Sequence, residues 1–313
     1  MSDIALAAYA KVPGAEPAVA LMLNGQLFDL QEARKAGLKL DGAWAENSVP
    51  RIVAQWTRDI QMLKTASAEL AVLVQTGALK SVPDGARKLT APYRPDRIFC
   101  AASNYIEHAN EMGTVLAAKA ESKPYMFLKL RNTVIGPGAD IQMPPETSML
   151  DWEIELAAVI GKGGRRIPAA LALDHVAGYS IVNDISARDL NVRSDYPFKF
   201  DWFQGKCHDT FAPFGPAIVP VWAIADPQDA AMELKVNGQI MQSDTTANMI
   251  WTLREQIAYI STIVTLEPGD VIATGTPTGV GMGRDIYLKA GDVVSASIAG
   301  IGTLTNTVRA EKV

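Results

Sequence analysis

Strand-like segments far outnumber helical ones along this chain. Alternation of apolar and polar residues over about four to eight positions predicts a strand, whereas apolar positions three and four residues apart predict a helix. The predicted strands cover residues 125–130, 152–160, 178–184, 232–243, 270–274 and 293–298. The predicted helices cover residues 105–112, 168–177 and 252–264. Because the two types do not alternate regularly, the pattern predicts an α+β fold around a curled, mostly antiparallel sheet rather than a doubly wound one.

The first 90 residues form a separate zone. We expect a small N-terminal domain with its linker over residues 1–90 and a larger domain over residues 91–313. Residues 50–75 predict one or two amphipathic helices. The apolar positions of these helices are Ile52, Trp56, Ile60 and Leu63. Residues 80–97 contain three prolines and predict a linker.

Two Asn-Gly pairs predict β-hairpins, one in each zone. Asn24-Gly25 lies between the alternating segments of AVALMLNGQLFDL, and Asn237-Gly238 lies inside LKVNGQIM. Asn-Gly between alternating segments favours a type I′ turn, because both residues tolerate positive φ. The first hairpin predicts that the N-terminal domain is rich in strands.

Composition excludes several classes of protein. The 313 residues are 48% hydrophobic and 20% charged, an ordinary globular balance, and the net charge of −5 is unlike that of a nucleic-acid-binding protein. No apolar run approaches the roughly 18 residues of a membrane span. The N-terminus carries Asp3 and no basic start, which is unlike a signal peptide. Cys100 and Cys207 are the two cysteines, so we expect a reducing, cytoplasmic location.

Glu153 and Glu155 are the first candidates for chemistry. They are one residue apart in the apolar run WEIELAAVI, and in a strand residues i and i+2 face the same side. Asp184 ends a second apolar run, where an unpaired carboxylate is costly. Three carboxylates without sulfur describe a hard-oxygen site, which Mg²⁺ fits best, followed by Mn²⁺ and Ca²⁺. The alternative is an exposed strand with alternating glutamates.

His108 and Glu111 form a second candidate constellation in SNYIEHANEMG. Asn104 suits a helix N-cap, and Gly113 suits the residue after the helix end. At a spacing of i, i+3 the imidazole and the carboxylate share one helix face. A carboxylate beside a histidine raises its basicity and fixes its tautomer, as a general base requires. The alternative is a surface ion pair.

Lys206 and a glycine-rich loop complete the candidates. Lys206 lies among aromatic residues in DWFQGKCHD, and its charge could stabilise an oxyanion; the alternative is an ordinary surface lysine. The loop Thr274 to Gly283, TGTPTGVGMG, lacks the Gly-Lys-Ser/Thr ending of a P-loop. Its amides and hydroxyls suit a substrate carboxylate, and a plain turn between strands is the alternative.

Taken together and in order, eight segments resemble the fumarylacetoacetate hydrolase family. They are SNYIEHANEMG, KPYMFLKLRNTVIGPG, DWEIELAAVIGK, AGYSIVNDISARDLN, WFQGKCHDTFAPFGP, LKVNGQIMQSDTTANMIW, LEPGDVIATGTPTGVG and GIGTLTNTV. The match runs from Ile98 to Val313, about two-thirds of the chain. The resemblance implies a mixed β-roll with few peripheral helices and a homodimer. It also implies a Mg²⁺ or Mn²⁺ site and small-molecule substrates that are short oxo- or dioxo-acids.

The resemblance also implies roles for individual residues. It implies that Glu153, Glu155 and Asp184 bind the metal, that His108 and Glu111 activate water, and that Lys206, Arg188, Asn191 and Thr276 lie near the substrate. Asn191 stands where some members have a glutamine. The longer members have a further metal-ligating Asp before the histidine, whereas this chain has CAASNY there. The chain therefore resembles the smaller members with three carboxylates.

The resemblance predicts a hydrolase that cleaves the C–C bond of a 2,4-dioxo acid to pyruvate and a carboxylic acid. Decarboxylation of oxaloacetate, isomerisation or tautomerisation of oxo-acids, and hydration are the alternatives on the same metal site. A non-catalytic binding protein is disfavoured, because it would need neither the three carboxylates nor the dyad of His108 and Glu111, and all of these residues are present.

Overall fold

The computed structural model describes residues 4–12, 15–84 and 88–312. The side chains of residues 57–61 lie outside this description, and so does the predicted apolar position at Ile60. Within the described ranges there are 18 strands and six α-helices.

The strands of the first half are β1 (Ala5–Ala10), β2 (Ala18–Leu23), β3 (Gln26–Asp29), β4 (Lys88–Leu89), β5 (Ile98–Ala102), β6 (Tyr125–Lys129), β7 (Val134–Ile135), β8 (Asp140–Met143) and β9 (Leu150–Asp151). Those of the second half are β10 (Ile154–Ile160), β11 (Val176–Asn183), β12 (Ser186–Ala187), β13 (Ala212–Pro220), β14 (Ala231–Val236), β15 (Gln239–Thr245), β16 (Val271–Ala273), β17 (Val293–Ile298) and β18 (Gly302–Ala310). The helices are α1 (Leu30–Lys35), α2 (Val49–Ala54), α3 (Trp56–Gln75), α4 (Ile106–Glu111), α5 (Trp202–Lys206) and α6 (Leu253–Ile263).

Two large sheets organise the chain. The larger has the order β3-β2-β1-β13-β11-β10-β16-β5-β6, with β4 paired to β1 and β7 to β13. The smaller has the order β15-β14-β17-β18-β8. Most pairs are antiparallel, and the parallel ones are β5 with β16, β7 with β13 and β8 with β18. The predicted α+β class with a mostly antiparallel sheet is therefore confirmed. No helix in the described part of the chain has the length and apolar character needed to cross a bilayer.

Both predicted hairpins are present. The β2–β3 turn has φ of 49° at Asn24 and 75° at Gly25, and the β14–β15 turn has 52° at Asn237 and 82° at Gly238. Positive φ at both central residues is what a type I′ turn requires.

The predicted helix over 168–177 is wrong in part. Residues Ala169–His175 form a 3₁₀ helix, and Val176 already begins β11. Val176 pairs with Ile160 and Gly178 pairs with Val159. The backbone of this segment is therefore engaged in strand pairing and cannot continue the helix. Tertiary pairing overrides the local helical pattern here.

The N-terminal zone joins the larger sheet through β1, where Leu6 pairs with Ile218 of β13. Leu6, Trp44 and Ile218 belong to one buried hydrophobic cluster. The predicted boundary near residue 90 stays a prediction.

Strands β10 and β11 lie at the centre of the larger sheet, and every residue of both is buried. A carboxylate on such a strand is removed from water and needs compensation. This position explains why the ionisable residues at the ends of the two strands form the candidate site.

Candidate active site and metal centre

Glu153, Glu155 and Asp184 come together where β10 begins and β11 ends. The Asp184 amide donates to the Glu153 carbonyl at 2.8 Å, which fixes the two strand ends side by side. One carboxylate oxygen of each residue lies within 4.8 Å of the other two. Glu153 is 5% exposed and Glu155 is 1% exposed, so the alternative of an exposed strand with alternating glutamates is wrong.

Three buried cationic side chains surround this cluster. The Lys206 Nζ donates to Glu153 Oε2 at 2.8 Å and to Asp184 Oδ2 at 2.7 Å. The Lys129 Nζ donates to Asp184 Oδ1, and the Arg188 Nη2 donates to Glu153 Oε1. Lys206 is therefore no ordinary surface lysine, because its ammonium group bridges two of the predicted metal ligands.

The ionisation of this network follows from burial and charge together. Burial disfavours the charged form of Glu153, but Lys206 and Arg188 outweigh it and hold the pKa of that carboxyl well below its usual range. Burial likewise opposes the charge of Lys206, but Asp184 and Glu153 raise the pKa of its ammonium group above the usual value. These groups consequently stay charged near neutral pH.

Glu155 differs from its neighbours. Among the described residues it accepts a hydrogen bond from the Gly275 amide at 2.9 Å and pairs with no lysine or arginine. Burial, followed by the charges of Asp184 and Glu153, raises the pKa of this carboxyl well above its usual value. Glu155 is thus a buried carboxylate next to two other carboxylates, and within the described structure it has no cationic partner of its own. A divalent cation bound among the three would compensate their negative charge. The three carboxylates thus fit a hard cation such as Mg²⁺ or Mn²⁺.

His108 and Glu111 lie on one face of α4, as their spacing predicts. The His108 Nδ1 is 3.6 Å from Glu111 Oε2, and the two side chains are largely buried. His108 Nδ1 has no hydrogen-bond partner within the described structure, so the contact is loose. Glu111 also accepts from the Gly279 amide at 3.0 Å. Burial raises the pKa of the Glu111 carboxyl, but His108 and the amide outweigh it, so this pKa is lowered. The surface ion-pair alternative is wrong.

The predicted N-cap role of Asn104 is also wrong. Helix α4 begins after Tyr105, whose side chain makes no capping hydrogen bond. The Asn104 amide group instead donates to the carbonyls of Thr274 and Trp251 at 2.7 and 3.0 Å. The Asn104 Oδ1, which would accept the capping hydrogen bond, accepts instead from the Trp251 amide at 2.7 Å, and the Asn104 amide group ties the start of α4 to the glycine-rich loop. Gly113, with φ of 66°, does follow the helix end.

Two carboxylates hold the glycine-rich loop through its backbone amides. Glu111 accepts from the Gly279 amide, and Asp151 accepts from the amides of Gly281 and Met282 at 2.6 and 3.0 Å. Gly279 has φ of 102°, and a Cβ there would lie 2.1 Å from the Met241 carbonyl oxygen, so only glycine fits. Because the Gly275 amide also donates to Glu155, the loop contacts both Glu111 and the carboxylate cluster, and it is more than a plain turn.

Sequence reasoning missed three buried residues of this network. Lys129 holds Asp184, Asp151 holds Arg188 at 2.8 Å, and Gln242 donates to Thr276 at 2.8 Å. Asp151 and Lys129 each adjoin or end an apolar run, the same signal that singled out Asp184. Gln242 carries no comparable signal, because a polar residue in a hairpin is ordinary.

Replacing Asp151 with asparagine should strongly destabilise the protein. Asp151 accepts from the amides of Trp152, Gly281 and Met282 and from Arg188, and an amide group cannot accept on both of its polar atoms. We expect Asp151→Asn to lower the free energy of unfolding by about 3–5 kcal/mol, because the buried Arg188 loses one of its two carboxylate partners and the loop amides lose an acceptor. Urea denaturation measures this. The control is Asp140→Asn, an exposed partner of Arg309 at 3.7 Å, which should change it by less than about 0.5 kcal/mol. Equal losses in both variants would contradict this role.

A cavity of about 590 Å³ opens beside the cluster. The predicted site residues in its walls are His108, Glu153, Glu155, Arg188, Asn191, Lys206 and Thr276. Asp184 and Glu111 do not line it, but each contacts a residue that does. The structure thus brings all nine predicted residues into one region.

Three of these side chains differ in the donors and acceptors that they could still offer to a ligand. The Thr276 hydroxyl donates to the Ile154 carbonyl at 2.9 Å, so toward a ligand it could accept but not donate. Arg188 is engaged by two carboxylates, Asp151 and Glu153. The Asn191 Oδ1 is buried without a partner in the described structure, so it remains a free acceptor.

Known proteins resemble this chain over most of its length. Residues 97–309 match the family model described as fumarylacetoacetate (FAA) hydrolase C-terminal. Human oxaloacetate tautomerase FAHD2A, mitochondrial, is 38% identical over 253 residues, which are 79% of this chain and 78% of that protein.

Two solved structures share the fold. A fumarylacetoacetate hydrolase from Exiguobacterium antarcticum has a TM-score of 0.78 and 33% identity, covering 98% of this chain and 100% of that one. A 5-carboxymethyl-2-hydroxymuconate delta-isomerase from Mycobacterium smegmatis has a TM-score of 0.64 and 38% identity, covering 75% of this chain and 86% of that one. The named reactions are hydrolysis, tautomerisation and isomerisation.

Proposed function

This chain belongs to the fumarylacetoacetate hydrolase family, and we propose that it is a Mg²⁺- or Mn²⁺-dependent hydrolase of 2,4-dioxo acids. The reaction cleaves the C3–C4 bond and gives pyruvate and a carboxylic acid. The observation that supports it is the shared wall of one cavity, where His108 faces the same space as Glu153 and Glu155. A general base and a cation site on one cavity are what this hydrolysis needs.

The buried dyad supplies the base. His108 takes a proton from a water molecule as the water oxygen bonds to C4 of the substrate. Glu111 stabilises the imidazolium that forms and is itself held ionised by the Gly279 amide. When the C3–C4 bond breaks, its electron pair stays with the pyruvate fragment, and the proton is delivered to C3.

The cationic side chains stabilise the charge that develops. Glu153, Glu155 and Asp184 would hold the metal, and a bound Mg²⁺ or Mn²⁺ would supply Lewis-acid stabilisation at the oxo-acid oxygens. Lys206 adds a buried positive charge beside the same carboxylates. Arg188 donates to Glu153 Oε1, whereas Lys206 donates to Glu153 Oε2, so the two cations together orient this carboxylate.

Tautomerisation of oxaloacetate is a second candidate, favoured by the 38% identical human relative that carries this name. This reaction moves a proton between C3 and the 2-oxo oxygen, so it needs the base but no attacking water. His108 would perform it at the same position.

A substrate panel separates the two reactions. The metal-loaded protein is given 2,4-dioxopentanoate and enol-oxaloacetate, and pyruvate release and loss of enol absorbance are followed. Hydrolysis predicts pyruvate from the dioxo acid at a rate at least about 100-fold above a metal-free control, because a bound metal supplies several kcal/mol of charge stabilisation. Enol loss without pyruvate from the dioxo acid would support the tautomerase and refute the hydrolase.

A further inference from the structure

The cavity beside the carboxylate cluster is larger than a small oxo-acid requires. Its volume is about 590 Å³, and since a water molecule takes about 30 Å³ of liquid, this is room for roughly 20 waters. A four-carbon dicarboxylate would leave most of that volume filled with water. Cavities of several hundred Å³ with apolar walls typically enclose ligands of the size of a substituted ring.

An aromatic wall, formed by Tyr125, Phe127, Phe200 and Trp202, runs along this cavity. The ring centroid of Trp202 lies 4.7 Å from that of Phe127, 5.6 Å from that of Tyr125 and 6.3 Å from that of Phe200. The wall begins at the carboxylate cluster, because the Lys206 Nζ is 5.2 Å from the Phe127 centroid. A ligand held at the cluster would therefore extend its tail along these rings.

Two of the four aromatic wall residues are exposed, and the other two, Phe127 and Trp202, are half-buried. Tyr125 is 60% exposed and Phe200 is 63% exposed, and both line the cavity. Large apolar side chains that face water inside one concave surface are typical of a binding site for an apolar group.

Most of the cationic side chains that could bind a second carboxylate group of a ligand are already paired with acidic residues of the protein. Lys119, which lines the cavity, pairs with Glu255 at 2.8 Å, and Lys206 and Arg188 pair with the cluster. Lys123 also lines the cavity but is exposed, so its attraction for an anion is screened by water.

We infer that this site selects 2-oxo acids with an aromatic or bulky apolar tail over oxo-dicarboxylates. The inference rests on the proposed function for the oxo-acid end of the ligand. It differs from the reaction named for the human relative, whose substrate is a four-carbon dicarboxylate.

Binding of three non-cleavable 2-oxo acids tests the inference independently of turnover. Isothermal calorimetry on the Mg²⁺-loaded protein would compare 2-oxo-4-phenylbutanoate, 2-oxobutanoate and 2-oxoglutarate. We expect the phenyl compound to bind at least about 10-fold more tightly than the other two, as burial of a ring predicts. Equal or tighter binding of 2-oxoglutarate, or no binding of any of the three acids, would overturn the inference.

Variants assign the preference to the wall. Trp202→Ala and Tyr125→Ala should reduce the phenyl preference to about threefold or less while Mg²⁺ affinity is unchanged. The control is Phe203→Ala on the same helix, because Phe203 is 70% exposed and does not line the cavity. It should keep the full preference. A preference that survives both wall variants would refute the role of the wall. A phenyl preference without pyruvate release from any dioxo acid would sink the hydrolase proposal and leave this inference standing.

Discussion

Glu155→Gln is expected to abolish divalent-metal binding and turnover while leaving the metal-free protein at least as stable as wild type. Glu155 is buried without a cationic partner among the described residues, and its pKa is raised by burial and by Asp184 and Glu153. The charged form of this carboxyl is therefore costly in the metal-free protein, and a neutral glutamine of the same shape avoids that cost. It also removes one of three anionic ligands, which should weaken Mn²⁺ binding by at least about 100-fold.

The same change at Asp184 should have the opposite effect on stability. Asp184 pairs with both Lys129 and Lys206, so among the described residues Asp184→Asn would leave the buried Lys129 ammonium group without a carboxylate and Lys206 with Glu153 alone. We expect it to lower the free energy of unfolding by about 3–5 kcal/mol in addition to weakening the metal. The two variants therefore distinguish Glu155, whose charge has no cationic partner among the described residues and needs a bound metal, from Asp184, whose charge is already compensated by lysines.

Calorimetric Mn²⁺ titration and urea denaturation of both variants measure these effects. Glu146→Gln is a matched control, since Glu146 is exposed. The control should bind Mn²⁺ and unfold as wild type does. Undiminished Mn²⁺ affinity in Glu155→Gln would refute the three-carboxylate centre.

His108→Ala should lower turnover of 2,4-dioxopentanoate by about 100- to 10,000-fold, the usual contribution of a general base. In the described structure His108 makes no hydrogen bond to Glu153, Glu155 or Asp184, so Mn²⁺ affinity should stay within about threefold of wild type. Together the two results would assign His108 to the chemistry and leave the metal to the carboxylates.

His175 provides the control histidine for that experiment. It is partly buried, its Nδ1 lies 2.8 Å from the Lys162 carbonyl, and it does not line the cavity. His175→Ala should therefore retain wild-type turnover and metal affinity. Unchanged hydrolysis in His108→Ala would refute the dyad, and a shared loss in both variants would point to a structural cause.

Local patterns predicted the parts of the fold that depend on local chemistry. The Asn-Gly turns and strands β10, β11 and β17 follow from residue type and alternation. Glu153 and Glu155 could be paired on one strand face, and His108 and Glu111 on one helix face, because both spacings are fixed by backbone geometry. The fold class and the family resemblance were confirmed.

The errors and omissions involve contacts between distant segments. Residues 176 and 177 belong to a strand and not to the predicted helix, because β10 provides their strand partners. Asn104 does not cap α4, because its side chain hydrogen-bonds to Thr274 and Trp251 instead. Lys129, on β6, bonds to Asp184 at the end of β11 although three strands lie between β6 and β11 in the sheet order. No local pattern shows which lysine will reach which carboxylate across a sheet.

Pyruvate release from 2,4-dioxopentanoate by the wild-type protein, before and after removal of divalent metal with a chelator, tests the central claim most directly. The proposed function predicts that chelation lowers the rate by at least about 100-fold and that added Mg²⁺ or Mn²⁺ restores it. A rate that is undiminished in the metal-free protein, or no pyruvate from the metal-loaded one, would contradict it.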